Sequence, residues 1–138
     1  MYDERLVAPM REELTRLGIE ELRDAGAVDA KLKNAVGTTL LVVNSVCGCA
    51  ARNARPAVAK ALQHDTRPKT LTTVFAGQDV DATQRARSYF TGYSPSSPQL
   101  ALLKDGALEF MLERHQIEGR SADDIAADLV QAFDKYCA

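Results

Sequence analysis

Apolar residues fall into two rhythms along this chain, and the switches between them mark its elements. Between residues 3 and 17, Leu6, Met10, Leu14 and Leu17 recur at steps of three or four among charged neighbours, which predicts an amphipathic helix stopped at Gly18. Val28, Leu32 and Val36 predict a second, shorter helix ended by Gly37. Residues 40–43 are instead an unbroken, partly β-branched apolar run, the pattern of a buried strand. After Cys49 the helical rhythm returns in Ala50, Ala51, Ala54, Ala57, Val58, Ala61 and Leu62, with a kink predicted at Pro56. Residues 71–76 predict another strand. Ala82, Ala86, Tyr89 and Phe90 predict a helix capped by Asp79 or Asp81. Residues 91–98 are a loop by composition, and residues 100–103 and 108–112 flank Asp105-Gly106 as a β-hairpin. A polar connection over 113–120 leads to a last helix that starts at Ser121. Its stripe is Ile125, Leu129, Ala132, Phe133 and Tyr136, and Asp123 and Asp124 suit its positive end.

Two apolar strands joined by a helix read as a parallel β-α-β unit, and the later hairpin adds antiparallel pairing. The order predicts an α/β chain: a three-layer α/β/α arrangement around a mixed central sheet, with an N-terminal helical extension. No linker or repeat divides residues 1–138, so one domain is expected, and 138 residues with 46% hydrophobic content suffice for one core. A net charge of −2 without any basic block gives no electrostatic case for nucleic acid. The first residues lack a basic segment followed by an apolar one, and no apolar run is long enough to span a membrane. A cytoplasmic protein is therefore expected, in which paired cysteines are more often catalytic or metal-binding than structural.

Cys47-Gly48-Cys49 occupies the junction where the first predicted strand hands over to a helix. There the unpaired N–H groups and positive dipole end of the first helical turn favour thiolate, the nucleophilic form. Residues i and i+2 of a regular helix point to nearly opposite sides, so Cys47 is expected ahead of the helix, with Gly48 taking unusual backbone angles. A bent C-G-C can then reach the roughly 4.4–6.8 Å Cα separation of a disulfide, with strain that makes the oxidised form a comparatively good oxidant or isomerase. Cys47, nearer the turn, is the expected attacking thiol and Cys49 the resolving one. Inert packing and a soft-metal thiolate site are the competing readings. Further metal ligands (His64, His115, Cys137) lie far along the chain, so no metal is expected. Arg52 and Arg55 could lower a thiol pKa through space, although on a charged helix face they read as solvated. His115 could move protons at a thiol but reads first as a loop residue, and Cys137 as an exposed tail thiol.

Several blocks resemble the bacilliredoxin family. They are Val43-Asn44-Ser45-Val46-Cys47-Gly48-Cys49-Ala50, Ala54-Arg55-Pro56, Val74-Phe75-Ala76-Gly77-Gln78-Asp79, Ser96-Ser97-Pro98, and Arg114-His115 with Ile117-Glu118-Gly119. The similarity runs from Val7-Ala8-Pro9-Met10-Arg11 to Ala132-Phe133-Asp134 and Cys137. It implies a thioredoxin-like fold with C-G-C in place of C-x-x-C. It also implies attack of the first cysteine on mixed disulfides between proteins and the small thiol bacillithiol, which acts as co-substrate with no cofactor bound. The expected partners are S-thiolated or disulfide-containing proteins and the small thiol. A disulfide isomerase or general dithiol oxidoreductase is the alternative activity, and a non-enzymatic soft-metal module the alternative class. The resemblance further implies a cis Ser97-Pro98 bond that turns the Ser97 backbone toward Cys47, where an extended substrate could pair with it. Gly48, Ser97 and Pro98 are thus candidate substrate-binding residues, and Asn44, Arg52 and His115 candidate auxiliary ones.

Overall fold

The computed structural model describes residues 1–138. A five-stranded mixed sheet runs in the order β1-β3-β2-β4-β5, from β1 (Glu20–Glu21), β2 (Thr38–Asn44), β3 (Thr70–Phe75), β4 (Gln99–Lys104) and β5 (Ala107–Leu112). β1 and β2 both lie parallel to β3, while β4 runs antiparallel to β2 and to β5. All seven residues of β2 are buried, as its continuous apolar run requires. Leu40 and Val42 face one core, with Leu14 of α1 (Glu4–Thr15), Val58 of α3 (Arg55–Ala61) and Leu129 of α6 (Ala122–Tyr136). Leu41 and Val43 face the other, with Val28 and Leu32 of α2 (Ala25–Leu32) and Ala82 and Ala86 of α4 (Val80–Arg87). The expected α/β/α layering is present. At the hairpin, Asp105 (φ 52) and Gly106 (φ 80) are both left-handed, the two-residue turn that an Asp-Gly pair favours. A Cβ on Gly106 would come within 2.9 Å of the Leu32 carbonyl, so packing as well as backbone conformation demands glycine there.

Departures from the sequence-based expectation have local causes. The buried positions of α1 are Val7, Arg11 and Leu14, so its inward face is rotated from the expected stripe and Leu6 is exposed. α2 starts earlier than residue 28, because the Asp24 carboxylate accepts from Ala27 N–H at 2.7 Å, and it ends before Asn34 turns left-handed (φ 63). Val36 consequently lies outside the helix and is exposed. Asp79 occupies the N-cap position of α4 without capping it, since its carboxylate is engaged by Arg11. α4 ends at Arg87, and Tyr89 and Phe90 follow in a turn. The polar connection contains a short helix, α5 (Arg114–Ile117), closed by a capping box between Glu113 and Gln116.

Candidate active site

β2 ends at Asn44, and the next residues build the site. The Cys47 carbonyl accepts from Ala50 N–H and Ala51 N–H, both at 3.1 Å, so the helix opens directly at this residue. Cys47 and Cys49 are joined as a disulfide with a Cα–Cα separation of 5.4 Å. Cys47 is half-buried, Gly48 exposed and Cys49 buried, so an incoming group meets the first sulfur more readily than the second. The expected unusual backbone at Gly48 is absent: its φ is not in the left-handed region. A Cβ there would make only ordinary contacts with the Arg52 guanidinium, the nearest at 3.4 Å, because Gly48 already belongs to the helical opening.

The helix after the cysteines is not the continuous, Pro-kinked α-helix that its alanine spacing predicts. Residues Ala50–Ala54 form a π-helical turn, closed by Arg55 N–H donating to the Ala50 carbonyl, and α3 follows. Pro56 supplies the reason. In α geometry its ring would collide with the carbonyl four residues earlier and it has no N–H to donate, and the wider turn accommodates both.

Ser45, which the sequence does not mark as functional, contacts the first sulfur, and Arg55 braces the segment that carries it. The Ser45 hydroxyl donates to Cys47 Sγ at 3.1 Å and itself sits 3.4 Å from Cys47 N. A hydroxyl donor there favours the thiolate. Arg55, which reads from sequence as solvated, is instead buried beneath the turn. Its Nη1 donates to Asn44 Oδ1 at 3.0 Å and to the Ser45 carbonyl at 2.9 Å. Its Nε stands 3.2 Å from Glu13 Oε1, an ion pair whose N–H is not aimed for a hydrogen bond. Asn44, also buried, accepts from Ser45 N–H and donates to the Met10 carbonyl. Asn44 and Arg55 thus lock the segment that carries Ser45. The signal available in the sequence is a hydroxyl two residues before a cysteine and an arginine spaced to return under the turn.

Cys47 opens onto two cavities. The larger, about 610 Å³, is bounded by Cys47, Gly48, Cys49 and Arg52 on one side and Glu118 to Ser121 on the other. The smaller, about 300 Å³, joins Cys47 to Ser45, Ala76, Gly77, Arg87, Ser97 and the Tyr2 ring. Arg114 borders both. Ser97-Pro98 is cis as expected; Ser97 lines the smaller cavity, whereas Pro98 is buried and forms part of neither wall. The Ser97 N–H donates to no other group of the chain. His115 does not join the site. Ile117 anchors α5 inward, so His115, two positions away, points to solvent near Glu113. Cys137 is not an exposed tail thiol but half-buried at the opposite end of β2. Burial raises its pKa, only partly offset by a hydrogen bond to Thr38 and the charge of Lys104. With six residue steps along β2 between Thr38 and Asn44, it is about 20 Å from the Cys47–Cys49 turn. No group of three or more His, Cys, Asp or Glu side chains is placed to hold a metal ion, and no helix is long and apolar enough to cross a membrane.

Residues 2–137 match the family described as disulphide isomerase. A bacilliredoxin of Koribacter versatilis is 57% identical over 99% of this chain and 94% of its own length. A bacilliredoxin of Salinibacter ruber is likewise 57% identical, over 99% of this chain and 81% of its own length. Among solved structures, thioredoxin from Malassezia sympodialis superposes with a TM-score of 0.59 at 16% identity, covering 87% of this chain and 91% of that one. The sheet and helix arrangement is therefore thioredoxin-like.

Proposed function

Because this chain belongs to the bacilliredoxin family of thiol–disulfide oxidoreductases, we propose that it removes small thiols, bacillithiol foremost, from mixed disulfides on cytoplasmic proteins. Cys47 is the attacking residue in this reading. The observation that carries it is the asymmetry of the pair: Cys47 is accessible, borders both cavities and receives the Ser45 hydroxyl, while Cys49 is buried inside the helix opening. The Cys47 thiolate attacks the sulfur of the small thiol, and the protein sulfur leaves and takes up a proton. Cys49 then attacks Cys47 Sγ, expels the small thiolate and closes the disulfide. Two electrons from an external thiol reductant restore the dithiol. The unpaired Ser97 N–H, beside the cavity that Cys47 enters, supports backbone pairing with an extended protein substrate.

Intact mass spectrometry after incubation with an S-thiolated protein tests this. Cys49→Ser should accumulate the small-thiol adduct on Cys47, and Cys47→Ser should accumulate none. An adduct on Cys49 in the second variant would reverse the roles. Release of no small thiol by the wild-type protein, together with reshuffling of scrambled disulfides, would instead favour the isomerase activity that the family description names.

A further inference from the structure

We propose that the smaller cavity receives the low-mass thiol in the Cys47 mixed disulfide and selects thiols that carry a carboxylate, with Arg87 and Arg114 as the recognising donors. This rests on the reading of the protein as a small-thiol-removing oxidoreductase and adds the chemical class of its substrate.

Charge in the cavity wall is one-sided. Arg87 and Arg114 line it, and no acidic residue does. Arg11, Arg55 and Arg120, the other arginines withdrawn from solvent, each have a carboxylate partner. Arg87 has none. Its Nη2 donates to the Ser96 carbonyl at 2.8 Å and its Nε reaches Gln99 Oε1 at 3.5 Å. Burial pushes its pKa down from the ordinary guanidinium value with nothing to oppose the shift. A partly buried cation without a counter-charge bears part of the cost of desolvation, and an anion entering the cavity would relieve it. A guanidinium also has more N–H donors than Arg87 uses, and they suit a carboxylate. Arg114 lines the same cavity. Its Nε pairs with Glu118, which lines only the other cavity, and its Nη1 lies 3.5 Å from the Ser97 carbonyl. Both arginines are thus held by the short segment before Pro98, next to the reacting sulfur.

Reaction geometry selects the same cavity. When Cys49 attacks Cys47 Sγ, the departing sulfur must lie roughly in line on the far side of Cys47. Cys49 borders the larger cavity and not the smaller, so of the two cavities only the smaller is clear of the attacking residue. A volume of about 300 Å³ is at the lower end for ligand pockets and fits a low-mass group.

The test uses one reporter protein with a single thiol, converted to its mixed disulfide with 3-mercaptopropionate or with the matched neutral 3-mercaptopropanol. Release of each small thiol gives a kcat/KM, and the readout is their ratio on the same enzyme, which cancels a general loss of activity or folding. Wild-type protein should prefer the carboxylate by about tenfold or more, the worth of one charge-assisted hydrogen bond. Arg87→Gln should bring the ratio toward unity, Arg114→Gln should do so in part, and Arg87→Lys should retain some preference. A wild-type ratio of unity, or one that Arg87→Gln leaves unchanged, overturns the inference while small-thiol removal stands. Release of neither thiol overturns the functional reading itself.

Discussion

A hydroxyl 3.1 Å from Cys47 Sγ is a small feature with a measurable share in the chemistry. A hydrogen bond to a charged acceptor contributes about 1.5–3 kcal/mol, and one pKa unit corresponds to about 1.4 kcal/mol. Ser45→Ala should therefore raise the Cys47 pKa by roughly one unit, seen in the pH dependence of its alkylation in the reduced protein. Because the thiolate form stabilises the reduced state, the same variant should become more reducing. An unchanged alkylation profile would show that the hydroxyl only packs. Cys47 and Cys49 are legible in the sequence because a strand-to-helix junction is where unpaired backbone N–H groups activate a thiol. Ser45 is not, because hydroxyls near turns are common and only their aim distinguishes them. Arg55 reads as solvated because spacing on an apparently charged helix face does not reveal that a π-turn rotates the face inward.

Elements long enough to show a rhythm are legible: β2, β3, the hairpin and α6 all lie close to their expected places. β1 and α5 escape notice because two and four residues are too short for periodicity. They are fixed by tertiary contacts of Leu22 and Ile117 with the two cores. One link between elements has a pH signature. Asp29 of α2 accepts from Arg85 Nε at 2.7 Å and from the Tyr89 hydroxyl at 2.8 Å, and these bonds, Arg85 first, hold its pKa below the ordinary carboxylate value. A depressed folded-state pKa contributes stability above the unfolded value, about 3.9, that is lost as pH falls through the folded value. Asp29→Asn should accordingly remove part of the stability loss between about pH 5 and pH 2 in urea titrations, leaving a shallower acid limb. An acid limb as steep as that of the wild type would mean the link is no stronger in the folded chain than in the unfolded one.

At the scale of the whole molecule, Arg11 ties the N-terminal helix to the sheet. It is buried over the Phe75 ring, with its centre 5.2 Å from the ring centroid. Glu4, Glu21 and Asp79 all lie within 2.7 Å of its nitrogens. Burial opposes its charge, but the bonds to Asp79, Glu4 and Glu21 more than offset this and hold its pKa above the usual guanidinium value. Arg11→Ala leaves those carboxylates facing one another with only Arg23 nearby, and should cost about 3–5 kcal/mol in urea unfolding. A loss under about 1 kcal/mol would place the arginine among exposed ion pairs. The third cysteine has a practical consequence. Cys137 stays outside the disulfide, at the opposite end of β2 from the turn. The oxidised chain therefore carries one alkylatable thiol and the reduced chain three. Its raised pKa makes Cys137 the slow site at neutral pH, so mass increments gained early report the state of the reactive pair. The increment gained under denaturing conditions is then an internal standard, present in every redox state of the molecule.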